Sequence, residues 1–245
     1  MLSRIASGKA APVVGSDLFA FMAADTRVLP TLITLPEVKS YTDLRGRTLT
    51  VDATTTGYAF VLRAMLEHGG LRAGEYDIKS IGGAQRRYDD LLDKRHAGCL
   101  LNSPLEGLLV AQGFTALDTA ANVVGRYQGQ VGAARRSWAQ AHPDLVSGFT
   151  RAFLHAVARL YDERNRQEAY AIFRANVTGA DERAAATAHG VLFNPGNGMP
   201  ADGRIDEEAV RNVLALRERF GVPSRALGSP RDYYDEAART SRRLR

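Results

Sequence analysis

Residues 47–71 carry a hydrophobic and polar pattern that predicts a strand, a loop and a helix in immediate succession. Residues 48–51 favour β-structure, and the small polar residues 52–57 are too weakly apolar to continue a buried strand. From Tyr58 the apolar positions follow the spacing of an amphipathic helix, which a Gly-Gly pair at 69–70 ends. The first turn of this helix leaves backbone N–H groups unpaired beside threonine hydroxyls, so the loop can seat an anionic or polar ligand group.

The same alternation of strand and helix extends to both sides of this stretch. The pattern predicts strands at residues 29–35, 76–81, 97–101 and 130–134, with helices at 85–94 and 104–112. Strands that are separated by single helices indicate a mainly parallel sheet that is covered on both faces. Two weaker predictions, a helix at residues 3–9 and a strand at 11–14, precede it.

After residue 134 the pattern is helical. Pro143 stands at a typical first helical position, and Asn165 with Glu168 resembles a capping box that opens the next helix. Asp181 is a candidate N-cap for a third helix, and a loop rich in glycine and proline leads to a last helix that starts at Asp206. The first of these helices is expected to point its apolar face inward through Leu145, Val146, Phe149, Phe153, Ala156, Val157 and Leu160.

Composition and charge exclude several classes of function. The chain has 245 residues, of which 45% are hydrophobic and 24% charged, as is ordinary for a globular protein. No window approaches the roughly 18 uninterrupted apolar residues of a membrane span. The formal charge is +5, but the arginines are scattered along the helices, so we predict a solvated surface and no nucleic-acid partner. The single cysteine, Cys99, cannot form an internal disulfide and is predicted to be buried and unreactive.

The sequence offers no recognisable set of metal ligands or catalytic residues. Its five histidines do not lie within ligand spacing of one another or of a cysteine pair. There is no G-x-S-x-G nucleophile elbow, and the glycines of GNGMPADG follow no predicted strand, so they do not form a dinucleotide fingerprint. We therefore predict no metal, no cofactor and no catalytic residue.

Three loops share a position in the predicted sheet. Each follows a strand at its carboxyl end, which is the edge where open α/β sheets place ligands. Their hydroxyl, amide and guanidinium groups can bind a polar or anionic molecule, and their glycines let the backbone approach it. The candidate ligand-binding residues in these loops are Thr54, Thr55, Thr56, Gly57, Tyr58, Gly82, Gly83, Arg86, Asn102 and Ser103. Tyr127 and Gln128, just before the last predicted strand, add a stacking face and an amide.

Each of these residues also has a purely structural interpretation. A turn or cap residue that satisfies its own backbone explains any one of them about as well as a ligand contact does. For Tyr58 the structural interpretation, an anchor in the core, is the favoured one. The prediction of a site therefore depends on the convergence of the three loops and not on any single residue.

With these loops placed, the chain resembles the solute-binding proteins of ABC importers of the nitrate/sulfonate/taurine type, which include thiamine-pyrimidine-precursor binders. The matching residues are PEVKSYTDLRGRTLTVDATTTGYAFVLRAMLEHGGL, SIGGAQRRYDDL, AGCLLNSP and VGAARRSWAQAHPDLVSGFTRAFLHAV. The resemblance implies an α/β type II periplasmic-binding fold, in which two lobes joined by crossing strands close on a small ligand. It also implies ABC-importer membrane subunits as partners and a periplasmic or cell-surface location.

The resemblance divides the chain as well. Residues 29–134 would form lobe two, and residues 1–28 with 135–245 would form a mostly helical lobe one. Family members usually carry an N-terminal βαβα segment in the first lobe, and here only residues 1–28 precede the first crossing. We therefore expect a first lobe truncated at its N-terminus, a helical C-terminal segment and self-association through the incomplete lobe. The N-terminus shows no signal peptide, which predicts a cytoplasmic protein if this start is genuine.

Three functional hypotheses follow. The leading one is a non-enzymatic protein that binds a small anion, sulfonate or heteroaromatic acid and delivers it to an ABC importer. The second is an enzyme of pyrimidine-precursor synthesis on the same fold, which requires a reactive histidine, lysine or cysteine at the cleft. The third is a truncated remnant without ligand affinity, which exposed apolar surface on the shortened lobe would indicate.

Overall fold

The structure, a computed structural model, describes residues 17–26, 30–196, 198–224 and 226–237. The predicted helix at residues 3–9 and the predicted strand at 11–14 lie outside the described residues. The chain divides into two units, each of which is described by itself. Unit 1 consists of residues 1–28, 126–218 and 225–245, and unit 2 of residues 29–125 and 219–224.

Strands and helices alternate through the first half of the described chain, and helices fill most of the second half. The strands are β1 (Leu18–Ala23), β2 (Thr31–Thr34), β3 (Thr48–Val51), β4 (Asp77–Ser80), β5 (Gly98–Leu101), β6 (Thr115–Thr119) and β7 (Val131–Arg135). The helices are α1 (Gly57–His68), α2 (Ala84–Leu92), α3 (Leu105–Ala111), α4 (Ala120–Val124), α5 (Arg136–Ala141), α6 (Pro143–Tyr161), α7 (Arg166–Asn176), α8 (Glu182–Leu192) and α9 (Glu207–Phe220).

Unit 2 is built on a five-stranded sheet with the order β4-β3-β5-β2-β6. Strand β3 runs parallel to both β4 and β5, as the alternation of strand and helix predicts. Strand β2 runs antiparallel to both of its neighbours, β5 and β6. The expectation of a mainly parallel sheet is therefore wrong, and the sheet is mixed. The sequence analysis did not predict β6, whose sequence is TALDT.

Helix α1 supplies much of the core of unit 2. Its apolar residues Phe60, Leu62, Met65 and Leu66 are buried almost completely, and each such side chain contributes about 1.5–3 kcal/mol on burial. The helix ends at Gly69, where a Cβ atom would lie 2.0 Å from the ring of Tyr41. Only glycine allows the ring to pack this closely against the backbone.

Unit 1 contains the antiparallel pair β1 and β7, which are far apart in sequence. The other edge of β1 is covered, because Ala20 N donates to Tyr233 O and Asp235 N donates to Ala20 O, each over 2.9 Å. The core behind this pair comprises Phe19, Phe21, Met22, Ala139 and Val146. The pairing of β1 with β7 places residues 131–134 in unit 1, whereas the family resemblance implies a second lobe that runs from residue 29 to residue 134.

Helix α6 exposes part of its apolar face. Val146 and Val157 are buried, but Leu145 and Phe149 are more than half exposed, and Ala156 is exposed as well. The expectation that the whole apolar face points inward is therefore wrong. Leu145 and Phe149 line an apolar groove together with Phe21 and Trp138.

The hydrogen bonds at the first turns of the helices in unit 1 test the N-cap predictions made from the sequence. Asp181 Oδ1 accepts from Ala184 N over 2.7 Å, which confirms this residue as an N-cap. Asp206 Oδ1 likewise accepts from the backbone at the start of α9. The predicted capping box at Asn165 is wrong, because its side chain donates to Arg159 O instead of accepting from the next helix.

Candidate functional site

The carboxyl ends of β3, β4 and β5 lie at one edge of the sheet in unit 2. The three strands are parallel: residues 48–51 pair in register with 77–80, and residues 49–50 pair with 98–99. The loops that follow them are therefore neighbours, as the sequence predicts. These loops and the first turns of the helices that follow them contain the ten candidate residues of unit 2 between Thr54 and Ser103.

The threonine loop after β3 divides into structural and accessible residues. Thr56 is buried and caps α1, because its Oγ1 accepts from Ala59 N and donates to Asp52 Oδ1 over 2.6 Å. Gly57 is also buried, as the first residue of the helix. Thr54 is exposed and Thr55 is partly exposed, so their hydroxyls are available to a ligand.

Asp52 joins the ends of β3 and β4, although the sequence analysis did not select it. Its backbone oxygen accepts from Ser80 Oγ over 2.8 Å, and its carboxylate lies 4.0 Å from Arg87 Nη1. Its position between a strand and a helix N-cap is the signal that could have identified it.

Arg87 is a buried cation at the strand ends. Its side chain is 7% exposed, and it donates to Gly82 O over 3.1 Å and to Leu100 O over 3.2 Å. Arg86, the residue selected from the sequence, lies on the exposed face of α2. Because Arg87 stands four residues before the buried Leu91, helical periodicity could have placed it on the inner face. The strand ends therefore carry one buried and one exposed guanidinium.

The glycine loop after β4 leaves open space above its backbone. Gly82 adopts a positive φ of 101°, and a Cβ atom at Gly82 or Gly83 would meet nothing within 4 Å. Gly83 begins α2 as its N-cap residue. This loop meets the steric requirement for close approach of a ligand to the backbone.

Asn102 connects the loop after β5 to the start of α1. Its Nδ2 donates to Tyr58 Oη over 3.1 Å, and its Oδ1 is buried without a hydrogen-bond partner in the described structure. Ser103 is partly exposed, and burial raises the pKa of the nearby Glu106 carboxyl above its ordinary value. Glu106 is a second residue at this edge that the sequence analysis did not select.

Tyr127 and Gln128 lie in unit 1, and both are buried. Gln128 Nε2 donates to Asp25 O over 2.8 Å, and its Oε1 accepts from Asp206 N over 3.3 Å. Both side chains are therefore part of the packed interior of unit 1, and Gln128 joins three of its segments.

Reactive groups are few in the part of the chain that the structure describes. No three histidine, cysteine, aspartate or glutamate side chains in these residues are grouped to hold a metal ion. Burial raises the pKa of the Cys99 thiol to about 12 and lowers the pKa of His96, whose Nε2 lies 3.2 Å from Thr50 Oγ1. A neutral, buried thiol is a poor nucleophile. In the described ranges, no helix has the length and apolar character that crossing a membrane requires.

The chain has a mixed α/β fold in two units, and it shares this fold with solved periplasmic binding proteins. Residues 6–166 match the family described as NMT1/THI5 like, and the chain belongs to this family. No curated protein sequence matches the chain.

Solved structures share the fold at low sequence identity. A protein from Bordetella bronchiseptica RB50 is 19% identical with a TM-score of 0.77, and the match covers 97% of this chain and 77% of that one. The alkanesulfonate-binding protein SsuA from Xanthomonas axonopodis pv. citri, bound to MOPS, is 16% identical with a TM-score of 0.69, over 89% and 71%. The desulfurization enzyme DSZB is 13% identical with a TM-score of 0.64, over 97% and 81%. These TM-scores establish a common fold, which both binding proteins and an enzyme use.

Proposed function

We propose that this protein is a non-enzymatic solute-binding protein that delivers a small anion, sulfonate or heteroaromatic acid to an ABC importer. The observation that carries the proposal is the meeting of three loops at one edge of the sheet in unit 2, beside the buried charge of Arg87. Membership of the NMT1/THI5-like family and the shared fold with a sulfonate-binding protein support the same function.

The groups at this edge suit a ligand with an acidic and a polar part. The exposed guanidinium of Arg86 can donate two parallel hydrogen bonds to a sulfonate or carboxylate, and the hydroxyls of Thr54 and Thr55 can donate as well. Gly83 leaves room for the ligand against the backbone.

Isothermal titration with ethanesulfonate, nitrate, nicotinate and a formylaminopyrimidine tests the proposal. We expect saturable binding of at least one of them, and a loss of about tenfold or more in affinity for Arg86→Ala, because a charge-assisted hydrogen bond is removed. Arg72→Ala is the matched control, since Arg72 is also exposed in unit 2 and lies in a different loop. Failure of all four to bind, or an equal effect of the two substitutions, would refute the assignment.

The absence of catalysis is a separate part of the proposal. Mass spectrometry of each ligand after prolonged incubation with the protein is expected to recover it unchanged. Conversion of a bound ligand would instead favour the enzyme hypothesis, which the fold shared with DSZB keeps relevant.

The location and the partner are also proposals. We infer a periplasmic or cell-surface location, and cell fractionation is expected to place the protein outside the cytoplasm. Co-purification of importer membrane subunits with the ligand-bound protein is the expected sign of partnership.

A second candidate function is a self-associating protein without ligand affinity. The exposed side chains of Trp138, Leu145 and Phe149 favour it, because apolar patches of this kind commonly mark association surfaces. Light scattering measures the oligomeric state, and the titrations measure binding. A monomer that binds one of the four ligands excludes the self-associating protein without ligand affinity.

A further inference from the structure

The sheet of unit 1 has one edge that the described residues leave open. Strand β1 is covered on the side away from β7, because the backbone of Ala20 forms hydrogen bonds there with Tyr233 and Asp235. In the described ranges, β7 pairs with β1 and with no other strand. The second edge of β7 is therefore the place where this sheet can be extended.

The register of the sheet shows which backbone groups face the open edge. Ala20 lies opposite Ala133, and the N–H and C=O groups of Ala20 point away from β7. Opposite residues of an antiparallel pair either exchange both hydrogen bonds or neither, so the same groups of Ala133 point away from β1. Because the direction alternates along a strand, Val131 and Arg135 also face the open edge. No loop backbone among the described residues accepts from the N–H groups of these three residues.

Strand β7 lacks the features that usually protect an open edge. Residues 131–134 are Val-Gly-Ala-Ala, without proline or charge, and the irregularity of this sheet lies in β1, at Phe21. Folded proteins commonly block open edges with charged side chains, proline or bulges, because an unprotected edge pairs with another strand. The small side chains of β7 also let a second backbone approach closely.

The apolar groove of unit 1 borders the same strand. Residues 131–134 line it together with Trp138, Leu145 and Phe149, whose exposed fractions are 42%, 59% and 57%. These three side chains leave roughly 300 Å² of apolar surface open in each copy of the chain. Two such grooves and two strand edges together approach the area of roughly 1,200 Å² at which specific interfaces begin.

We propose that β7 is the interface of a homodimer, in which the β7 strands of two copies pair antiparallel about a two-fold axis at Ala133. In this register, Ala133 N donates to Ala133 O of the second copy, and Arg135 N donates to Val131 O of the second copy. Symmetry repeats both bonds in the other direction.

The strand is suited to pairing with itself. Arg135 lies opposite Val131 and away from Arg135 of the second copy, so like charges do not meet across the strands. The two-fold axis also places both apolar grooves on the same side of a continuous four-stranded sheet. The dimer uses unit 1 alone, so it does not rest on ligand binding at the strand ends of unit 2.

Sedimentation velocity of the full chain over a range of concentrations tests the proposal. We expect a reversible monomer–dimer equilibrium with a Kd of about 10 μM, because the interface is at the small end of the specific range. Ligand binding in unit 2 is measured by the separate titrations, so a failure of either proposal leaves the other open to its own test.

Leu145→Glu and Ile172→Glu form a matched pair of variants. Both residues are aliphatic, lie on helices of unit 1 and are 59% and 56% exposed, but only Leu145 lines the groove. Leu145→Glu is expected to weaken the dimer at least about tenfold, because dimerisation would remove the new carboxylate from water. Ile172→Glu is expected to change the Kd by less than about twofold.

Cysteine cross-linking tests the register. The Cα atoms of Ala133 in the two copies would lie about 5.5 Å apart, a distance that a disulfide spans, so oxidised Ala133→Cys is expected to form a covalent dimer. The Cα atoms of Arg135 would lie about 14 Å apart, so Arg135→Cys is the control that should not cross-link. Cys99 is buried and does not compete.

Several results would overturn the proposal. They are a chain that stays monomeric at every concentration, equal effects of Leu145→Glu and Ile172→Glu on the dimer, or equal cross-linking of Ala133→Cys and Arg135→Cys. In a monomer, a slowly reacting Ala133→Cys thiol would show that residues of the same chain cover the strand. A rapidly reacting thiol in a monomer would show that the edge does not pair with a second copy.

Discussion

The side-chain amide of Asn102 donates to the phenol oxygen of Tyr58 over 3.1 Å, and so connects the end of β5 to the first turn of α1. This contact links two of the three loops from which the sequence predicts a ligand site. Tyr58 is partly exposed, so its side chain can both anchor the core and contact a ligand, the two roles that the sequence analysis considered.

Tyr58→Phe is expected to lower the free energy of unfolding by about 1–2 kcal/mol, because Asn102 Nδ2 loses its partner at a partly buried position. Urea denaturation measures the loss. Tyr88→Phe is the matched control: Tyr88 Oη also accepts from an amide, that of Gln112, but at an exposed position where water can replace it. Equal effects of the two substitutions would contradict a special role for the Tyr58 contact.

Arg87→Met is expected to destabilise the protein by about 2–4 kcal/mol. The substitution leaves the carbonyls of Gly82 and Leu100 without their buried donor and removes the cation nearest to Asp52. The neighbouring Arg86→Met, on the exposed face of the same helix, is expected to change stability by less than about 0.5 kcal/mol. Thermal and urea unfolding of the two variants provide the comparison, and the reverse order would show that the inner face has been assigned to the wrong residue.

Thr56→Ala is expected to cost about 1–2 kcal/mol, because α1 loses its N-cap and Asp52 loses a hydrogen bond. Thr56→Ser keeps the hydroxyl and should recover most of this stability. Thr54→Ala, at an exposed position in the same loop, is expected to leave stability within about 0.5 kcal/mol. A large loss for Thr54→Ala in the absence of ligand would show that its hydroxyl has a structural role after all.

Cys99 is expected to resist thiol reagents at pH 8 in the folded protein and to react fully in urea, because its side chain is buried. Its folded pKa of about 12 lies above the ordinary value of 9.0, since burial disfavours the thiolate. The stability that this shift provides is complete below pH 9 and is lost as the pH rises from 9 towards 12. The free energy of unfolding of Cys99→Ala should therefore decline less between pH 9 and pH 12 than that of the original chain. Rapid labelling of the thiol in the folded protein would contradict its burial.

Features that depend on local sequence were predictable. The strand Thr48–Val51 and the helix that begins at Gly57 follow from residue preference, periodicity and a glycine stop, all within one stretch of chain. The shared edge of the three loops follows from the parallel order of their strands, which a strand-helix-strand connection favours.

Features that depend on distant partners were not predictable. Strand β1 is uniformly apolar, so no alternation marks it, and its pairing with β7 joins residues more than 100 positions apart. The hydrogen bonds of Gln128 could not be predicted, because its partners, Asp25 and Asp206, lie far away in sequence. Arg86 and Arg87 differ by about 100° around the helix, and the choice between them requires the position of the sheet.

The burial of Arg87 also determines how binding at the strand ends should respond to salt. Mobile ions screen an exposed charge such as that of Arg86 within about 10 Å at moderate ionic strength, but they cannot surround a guanidinium held against the carbonyls of Gly82 and Leu100. An anion attracted mainly by Arg87 should keep most of its affinity as salt is added. An anion that depends on Arg86 should lose affinity steadily, so a salt titration separates the contributions of these two adjacent residues.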